Sequence, residues 1–209
     1  AILWTAFSPD GTLLAATSQD GKVALWDIPA GTLRVSWEAH EGGVYGVAFS
    51  PDGKRLATGG TRDSAVRLWN VDPASPTFGE PLAVLASTAE NLFEVAFSPD
   101  GKAVAASGRP PLVQVWDVDP DSPTFEQPLF TLEEQRGSVV HTVAYSPDGS
   151  VLASGGDDGV VSVWDSATGA PLASLRGLTG VVQSVVFDPA GTVLLCASDD
   201  GTVRLWGVR

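Results

Sequence analysis

Two histidines, one cysteine and several aspartate pairs are the residues with which this chain could do chemistry. His40 and His141 stand far apart in sequence. No H-E-x-x-H motif, paired cysteines or G-x-S-x-G elbow accompanies them, so metal hydrolysis and a serine triad lack their parts. Cys196 sits in an apolar run, "VLLCASDDG", where a thiol packs as a small inert hydrophobe. "GGDDG" at 155–159 offers carboxylates, but not the alternating ligands and closing glutamate of a calcium loop. It suits a tight turn. "SGGDDG" is followed by no Lys-Ser/Thr pair, so it cannot cradle a phosphate. These residues predict no enzyme, no cofactor and no metal.

Composition narrows the partners. The 209 residues carry a net charge of −13 with only 12 basic side chains. A nucleic-acid backbone is bound through clustered Lys and Arg, so nucleic acid and anionic membrane are poor partners. No apolar run reaches the roughly 18 residues of a membrane span, and no signal sequence opens the chain. A single cysteine allows no internal disulfide, which suits a reducing, cytoplasmic setting. The chain starts at Ala1 inside a strand-like pattern and reads as a cut end. Three lysines among abundant Ala, Gly, Val, Asp and Pro point to a GC-rich bacterial genome.

The elements that hold these residues repeat. "FSPDG" stands at 7–11, 49–53 and 97–101, with "YSPDG" at 145–149 and "FDPAG" at 187–191. The leading aromatics are spaced by 42, 48, 48 and 42 residues, and each is followed by a tryptophan: Trp26, Trp69, Trp116, Trp164 and Trp206. Between these landmarks lie short β-branched or alternating runs separated by Gly and Asp turns, such as "GGVYGVAF", "RLATGG" and "AVRLWN". They predict strands, and no helical stripe of useful length appears. Pro and Gly in "SPDG" suit a tight turn from one strand into the next. Burying a tryptophan removes roughly 150–250 Å² from water, so five at one repeat position are expected in the core.

The five copies closely resemble WD40 repeats, the four-stranded blades of a β-propeller. Trp26-Asp27, Trp116-Asp117 and Trp164-Asp165 match the Trp-Asp signature, with Trp69-Asn70 and Trp206-Gly207 as variants. The resemblance implies an all-β WD40-type propeller with approximate repeats at 1–39, 40–86, 87–134, 135–176 and 177–209. The last blade lacks its outer strand. That gap favours part of a larger, seven-bladed ring, with a five-bladed ring as the other reading. The family also implies a buried network of His, Ser or Thr, Asp and Trp in each blade. Only the second repeat has it whole, in His40, Thr58, Asp63 and Trp69. The first has Ala16 at the hydroxyl position, the fourth has Arg136 near the histidine position, the fifth has Cys196 at the hydroxyl position, and "GRPPL" replaces the third Asp-Gly turn.

The resemblance further implies a non-catalytic scaffold that binds a peptide or protein domain, with small-ligand or glycan recognition as the alternative. Bacterial propellers of this kind are often fused to a kinase or a signalling ATPase. The residue four places before each signature aromatic is expected at the mouth of the ring: Leu3, Tyr45, Phe93, His141 and Gln183. These either pack between blades or anchor a partner segment carrying basic residues. Two near copies, "VDPASPTFGEPL" at 71–82 and "VDPDSPTFEQPL" at 118–129, should be ordered hairpin extensions stiffened by proline. Their Phe78 and Phe125 either fold back on their own blades or form a twin aromatic contact for a partner.

Overall fold

The computed structural model of the chain describes residues 1–133 and 139–208. The expected repeat boundary at 134–135 and Arg136 lie outside the described residues. The rest forms five antiparallel sheets and no helix. Blade 1 holds β1–β4 (Ile2–Phe7, Leu13–Ser18, Lys22–Asp27, Thr32–Glu38) and blade 2 holds β5–β8 (Val44–Phe49, Arg55–Gly60, Ala65–Asn70, Pro81–Ala86). Blade 3 holds β9–β12 (Asn91–Phe97, Ala103–Arg109, Leu112–Asp117, Pro128–Glu133). Blade 4 holds β13–β16 (Val140–Tyr145, Val151–Gly156, Val161–Asp165, Pro171–Leu175), and blade 5 holds β17–β19 (Val182–Phe187, Val193–Ser198, Val203–Gly207). β19 ends its sheet as an unpaired edge among the described residues.

The turn between the first two strands of each blade is built from its own side chains. Ser50 Oγ donates to Asp52 Oδ1 (2.5 Å) and accepts from the Arg55 N–H (2.9 Å), while Asp52 Oδ1 accepts from the Lys54 N–H (3.0 Å). Gly53 closes the turn at φ +70°, a conformation that costs glycine little. The same bonds recur at Ser8–Asp10, Ser98–Asp100 and Ser146–Asp148. In "FDPAG" the carboxylate has moved two places, and Asp188 accepts directly from the N–H groups of Thr192 (2.6 Å) and Val193 (2.7 Å).

Strand residues alternate between two faces, and each face packs on a different neighbour. Leu68 and Val66 join the core shared with blade 3, whereas Trp69 belongs to the core shared with blade 1 and lies 5.3 Å from Trp37. Trp116, Trp164 and Trp206 likewise pack toward the preceding blade. Equal burial of the five tryptophans is therefore corrected. Trp69 and Trp116 are buried, Trp164 and Trp206 are partly covered, and Trp26 is 41% exposed because no blade stands before it among the described residues. At the other end Val203 and Leu205 point the opposite way and are also exposed.

The inner strands β1, β5, β9, β13 and β17 touch in that order, and no comparable contact joins β17 to β1. The blades form an open arc, a partial propeller. Glu94 Oε2 accepts from the Val143 N–H (2.9 Å), and Thr142 Oγ1 accepts from the Val185 N–H (3.0 Å), tying blade 3 to 4 and blade 4 to 5. Burial pushes the Glu94 carboxyl upward, against the hydrogen bonds from Thr142 and Val143. Between blades 2 and 3 this position is Gly46, whose backbone lies against β9. A Cβ there would sit 2.9 Å from the Val95 nitrogen and 3.1 Å from the Glu94 carbonyl carbon. Gly46→Ala is expected to cost about 1–3 kcal/mol through forced separation of the blades. Urea unfolding checks this, and an unchanged midpoint would contradict the close approach.

Candidate binding face at the propeller mouth

All five mouth positions share a backbone irregularity that the sequence did not announce. In each inner strand the pairing skips one residue, and the residue skipped is Leu3, Tyr45, Phe93, His141 or Gln183. A β-bulge re-aims its extra side chain out of the ladder. Five bulges in register present these side chains at the same end of successive strands.

Four of the five positions form a continuous strip. A methyl group on Gly43 would lie 3.3 Å from Leu3 Cδ1 and 3.4 Å from Tyr45 Cε2, so Gly43 is the floor between them. Tyr45 and Phe93 meet edge to face with centroids 5.9 Å apart, and Phe93 meets the His141 ring at 5.5 Å. Aromatic pairs of this geometry contribute about 0.5–1.5 kcal/mol beyond area burial. Tyr45 is 37% exposed, while Phe93 and His141 are partly covered. His141 Nε2 lies 2.8 Å from Asp157 Oδ1, and Gln183 Nε2 donates to Asp199 Oδ2 at 3.0 Å. Asp157 and Asp199 occupy the same position in successive blades. The strip therefore runs from apolar to acidic along the arc.

Phe78 and Phe125 each pack inward. They enter two different interblade cores, and both are half-buried. Phe78 reaches toward blade 1, where the Arg34 guanidinium lies 4.5 Å from its ring centroid and Val35 packs against the same core. The core that Phe78 joins is the one its own blade, through Leu56, Trp69 and Val71, shares with blade 1. The loops carrying them are tied internally. Asn70 Nδ2 donates to Ser75 Oγ and Thr77 Oγ1 (2.7 Å each), and Asp117 Oδ2 accepts from Ser122 Oγ (2.5 Å) and Thr124 Oγ1 (2.6 Å). Arg34 is the partner that sequence reading missed, because it stands on the preceding blade.

The structure brings His40, Thr58, Asp63 and Trp69 together. Trp69 Nε1 donates to Thr58 Oγ1 (2.9 Å), Thr58 Oγ1 lies 2.7 Å from His40 Nε2, and His40 Nδ1 lies 2.8 Å from Asp63 Oδ2. The Asp63 carboxylate can only accept, so Nδ1 carries the proton that faces it, and in the neutral imidazole Nε2 accepts from the Thr58 hydroxyl. Burial lowers the His40 pKa from its ordinary value, outweighing the Asp63 carboxylate, which raises it. In blade 4, Trp164 Nε1 donates to Ser154 Oγ (3.0 Å). In blade 5, burial pushes the Cys196 thiol up to about 11, with the Trp206 indole opposing, and Trp206 Nε1 makes no hydrogen bond of ordinary geometry.

Two outcomes follow from this network. A folded-state pKa below the unfolded value of about 6.5 means that the unfolded chain binds the proton more readily. The neutral imidazole therefore contributes its stability in full above that pH and loses it as pH falls toward the depressed folded value. The urea midpoint should drop between about pH 7 and 5, and His40→Gln should flatten that limb. A midpoint that rises on acidification would show a charged His40. Cys196→Ser supplies an oxygen for Trp206 Nε1 and should raise stability by about 1 kcal/mol in the same assay; a loss would mean that the site tolerates no second polar group.

Among the described residues no group of three or more His, Cys, Asp or Glu is placed to hold a metal, and no helix could cross a membrane. A family model, WD40 (WD domain, G-beta repeat), matches residues 1–27, 31–70, 126–165 and 169–207, well over half of the chain. Each matched unit after the first begins with or just before the outer strand of one blade and ends with the third strand of the next. Similar proteins include DDB1- and CUL4-associated factor 13 of Dictyostelium discoideum, 36% identical over 67 residues. Others are the SAGA complex/transcription factor TFIID complex subunit Taf5 of Schizosaccharomyces pombe, 37% over 81 residues, and Actin-interacting protein 1 of Drosophila melanogaster, 41% over 68 residues. Each match covers 32% of this chain but only 15%, 12% and 11% of those relatives. All three are eukaryotic, and they lend no support to the bacterial source that composition suggested. The registered blades, their signature turns and the family match together establish that the chain belongs to the WD40 repeat family, a scaffold fold of protein interaction.

Proposed function

We propose that this chain is a non-catalytic docking module whose mouth strip receives an extended partner segment carrying a basic residue. The observation that carries this reading is the unbroken contact from Tyr45 through Phe93 to His141 at bulged positions. Packing between blades does not require bulges, and exposed aromatic side chains beside a polar rim are favoured binding anchors. Asp157 and Asp199 at the far end, on a chain of net charge −13, favour a basic residue next to the apolar anchor. The names of two relatives, a DDB1- and CUL4-associated factor and an actin-interacting protein, are consistent with protein partners. The setting is a reducing cytoplasm, where the single buried Cys196 stays free. In a longer chain the module would bring a kinase or signalling ATPase to its target.

A displayed peptide library panned against the chain supplies the probe. For the selected peptide, Tyr45→Ala with Phe93→Ala is expected to weaken binding by about 2 kcal/mol or more, with little change in melting temperature. If the double variant unfolds while its residual folded fraction binds normally, the rings are core and the binding face lies elsewhere.

A further inference from the structure

The end of the propeller opposite the mouth strip carries an interblade slot that is filled in one place and empty in another. Arg55 opens β6 six residues after Phe49 and reaches across to blade 3. Its Nη1 donates to the Val118 carbonyl (2.6 Å), its Nη2 donates to the Gly101 carbonyl (2.7 Å), and its Cζ lies 5.5 Å from the Phe97 ring centroid. One blade further on, every acceptor has a counterpart: Gly149 for Gly101, Ser166 for Val118 and Tyr145 for Phe97. The arginine does not. Its position is Ala103.

The space left is a cavity of about 430 Å³ lined by Ala103, Tyr145, Gly149 and Ser166. The Tyr145 hydroxyl is buried and makes no hydrogen bond among the described residues, although a buried phenol ordinarily finds a partner. Burial and the Asp100 carboxylate both push its pKa upward, so it stays protonated. Asp100, Asp117 and Asp148 also line the cavity. Asp100 is engaged through Oδ1 alone, by Ser98 Oγ and the Lys102 N–H. The lone cation of the lining, Lys102, is ion-paired with Asp119 at 2.8 Å.

We propose that this cavity between blades 3 and 4 binds a guanidinium group, an arginine side chain of a partner in the first instance, in the place that Arg55 takes between blades 2 and 3. The flat cation meets the Tyr145 hydroxyl edge-on, and its fork donates to that hydroxyl, to the Ser166 carbonyl, to the Gly149 carbonyl beside the Ser166 hydroxyl that already donates there, and to the Asp100 carboxylate. An ammonium group cannot present a planar fork to several acceptors at once. This site is independent of the mouth strip.

Nα-acetyl-arginine methylamide and its lysine analogue, titrated into the chain under NMR, test it. The arginine compound is expected to give saturable shifts at Tyr145 and Gly149, with the lysine compound at least about tenfold weaker. Tyr145→Phe, which restores the aromatic of the four other blades, should weaken the arginine compound about fivefold. Ala103→Arg should abolish binding by filling the slot from within, and Tyr45→Ala with Phe93→Ala should leave it unchanged. Equal affinity for the two compounds would reveal mere attraction to acidic surface and overturn the proposal. So would binding unaltered by Tyr145→Phe, which decides the matter even if Ala103→Arg fails to fold.

Discussion

A four-stranded sheet with apolar side chains on both faces cannot be stable alone, and everything else in this molecule follows from that. The alternation that sends Leu68 forward and Trp69 backward makes each blade half of two cores. Each core therefore forms only between neighbours, and stability accrues pair by pair along the arc. The consequence is visible at the ends. Trp26 and Leu205 occupy positions equivalent to buried residues elsewhere, yet both are exposed because one partner face is missing from the arc. The same side chain is core or surface according to its place in the array.

The requirement to stack also fixes what the two ends of the blades can do. Strands bury their sides against neighbours, which leaves bulges and turns as the places free to present side chains. At the mouth, an extra residue per inner strand lifts five side chains out of the ladder without altering the faces that pack. At the opposite end, Ser-Pro-Asp-Gly turns satisfy their own N–H groups with Ser and Asp side chains. A self-contained turn needs nothing from the next blade. Whether the slot beside it is closed, as by Arg55, or left open, as at Ala103, then depends on one residue.

Much of this was legible in the sequence. Short alternating runs and the five copies of the turn signature carry the strands and their order, because those features obey local rules of turn chemistry and pleat. The partners of His40 could be written down for the same reason, since all four residues keep the family spacing. The bulges were not legible: an extra residue in a ladder is defined by its partner strand, and neither strand alone shows it. The placement of Phe78 against Arg34 was not legible, because Arg34 belongs to another blade. The exposure of Trp26 was missed because local pattern says nothing of a neighbour's presence.

Blade 3 shows which part of the signature the fold needs. Residues 71–125, which include its first three strands, escape the family match. It has Ala106 where blade 2 has Thr58, and its Asp-Gly turn is gone. Yet every residue of β11 is buried, and Trp116 is only 1% exposed. Its polar groups are satisfied by another route. Trp116 Nε1 donates to the Ala86 carbonyl (3.3 Å), and buried Gln114 Oε1 accepts from the Thr88 N–H (3.1 Å) and the Ser87 hydroxyl (3.2 Å). Hydrogen bonds contribute little net stability when one satisfied set replaces another, whereas unpaired groups cost about 1–3 kcal/mol each. The polar network can therefore drift while the apolar faces stay fixed by stacking. Positions that drift, such as Ala103 and Cys196, are where one blade acquires a property that its neighbours lack.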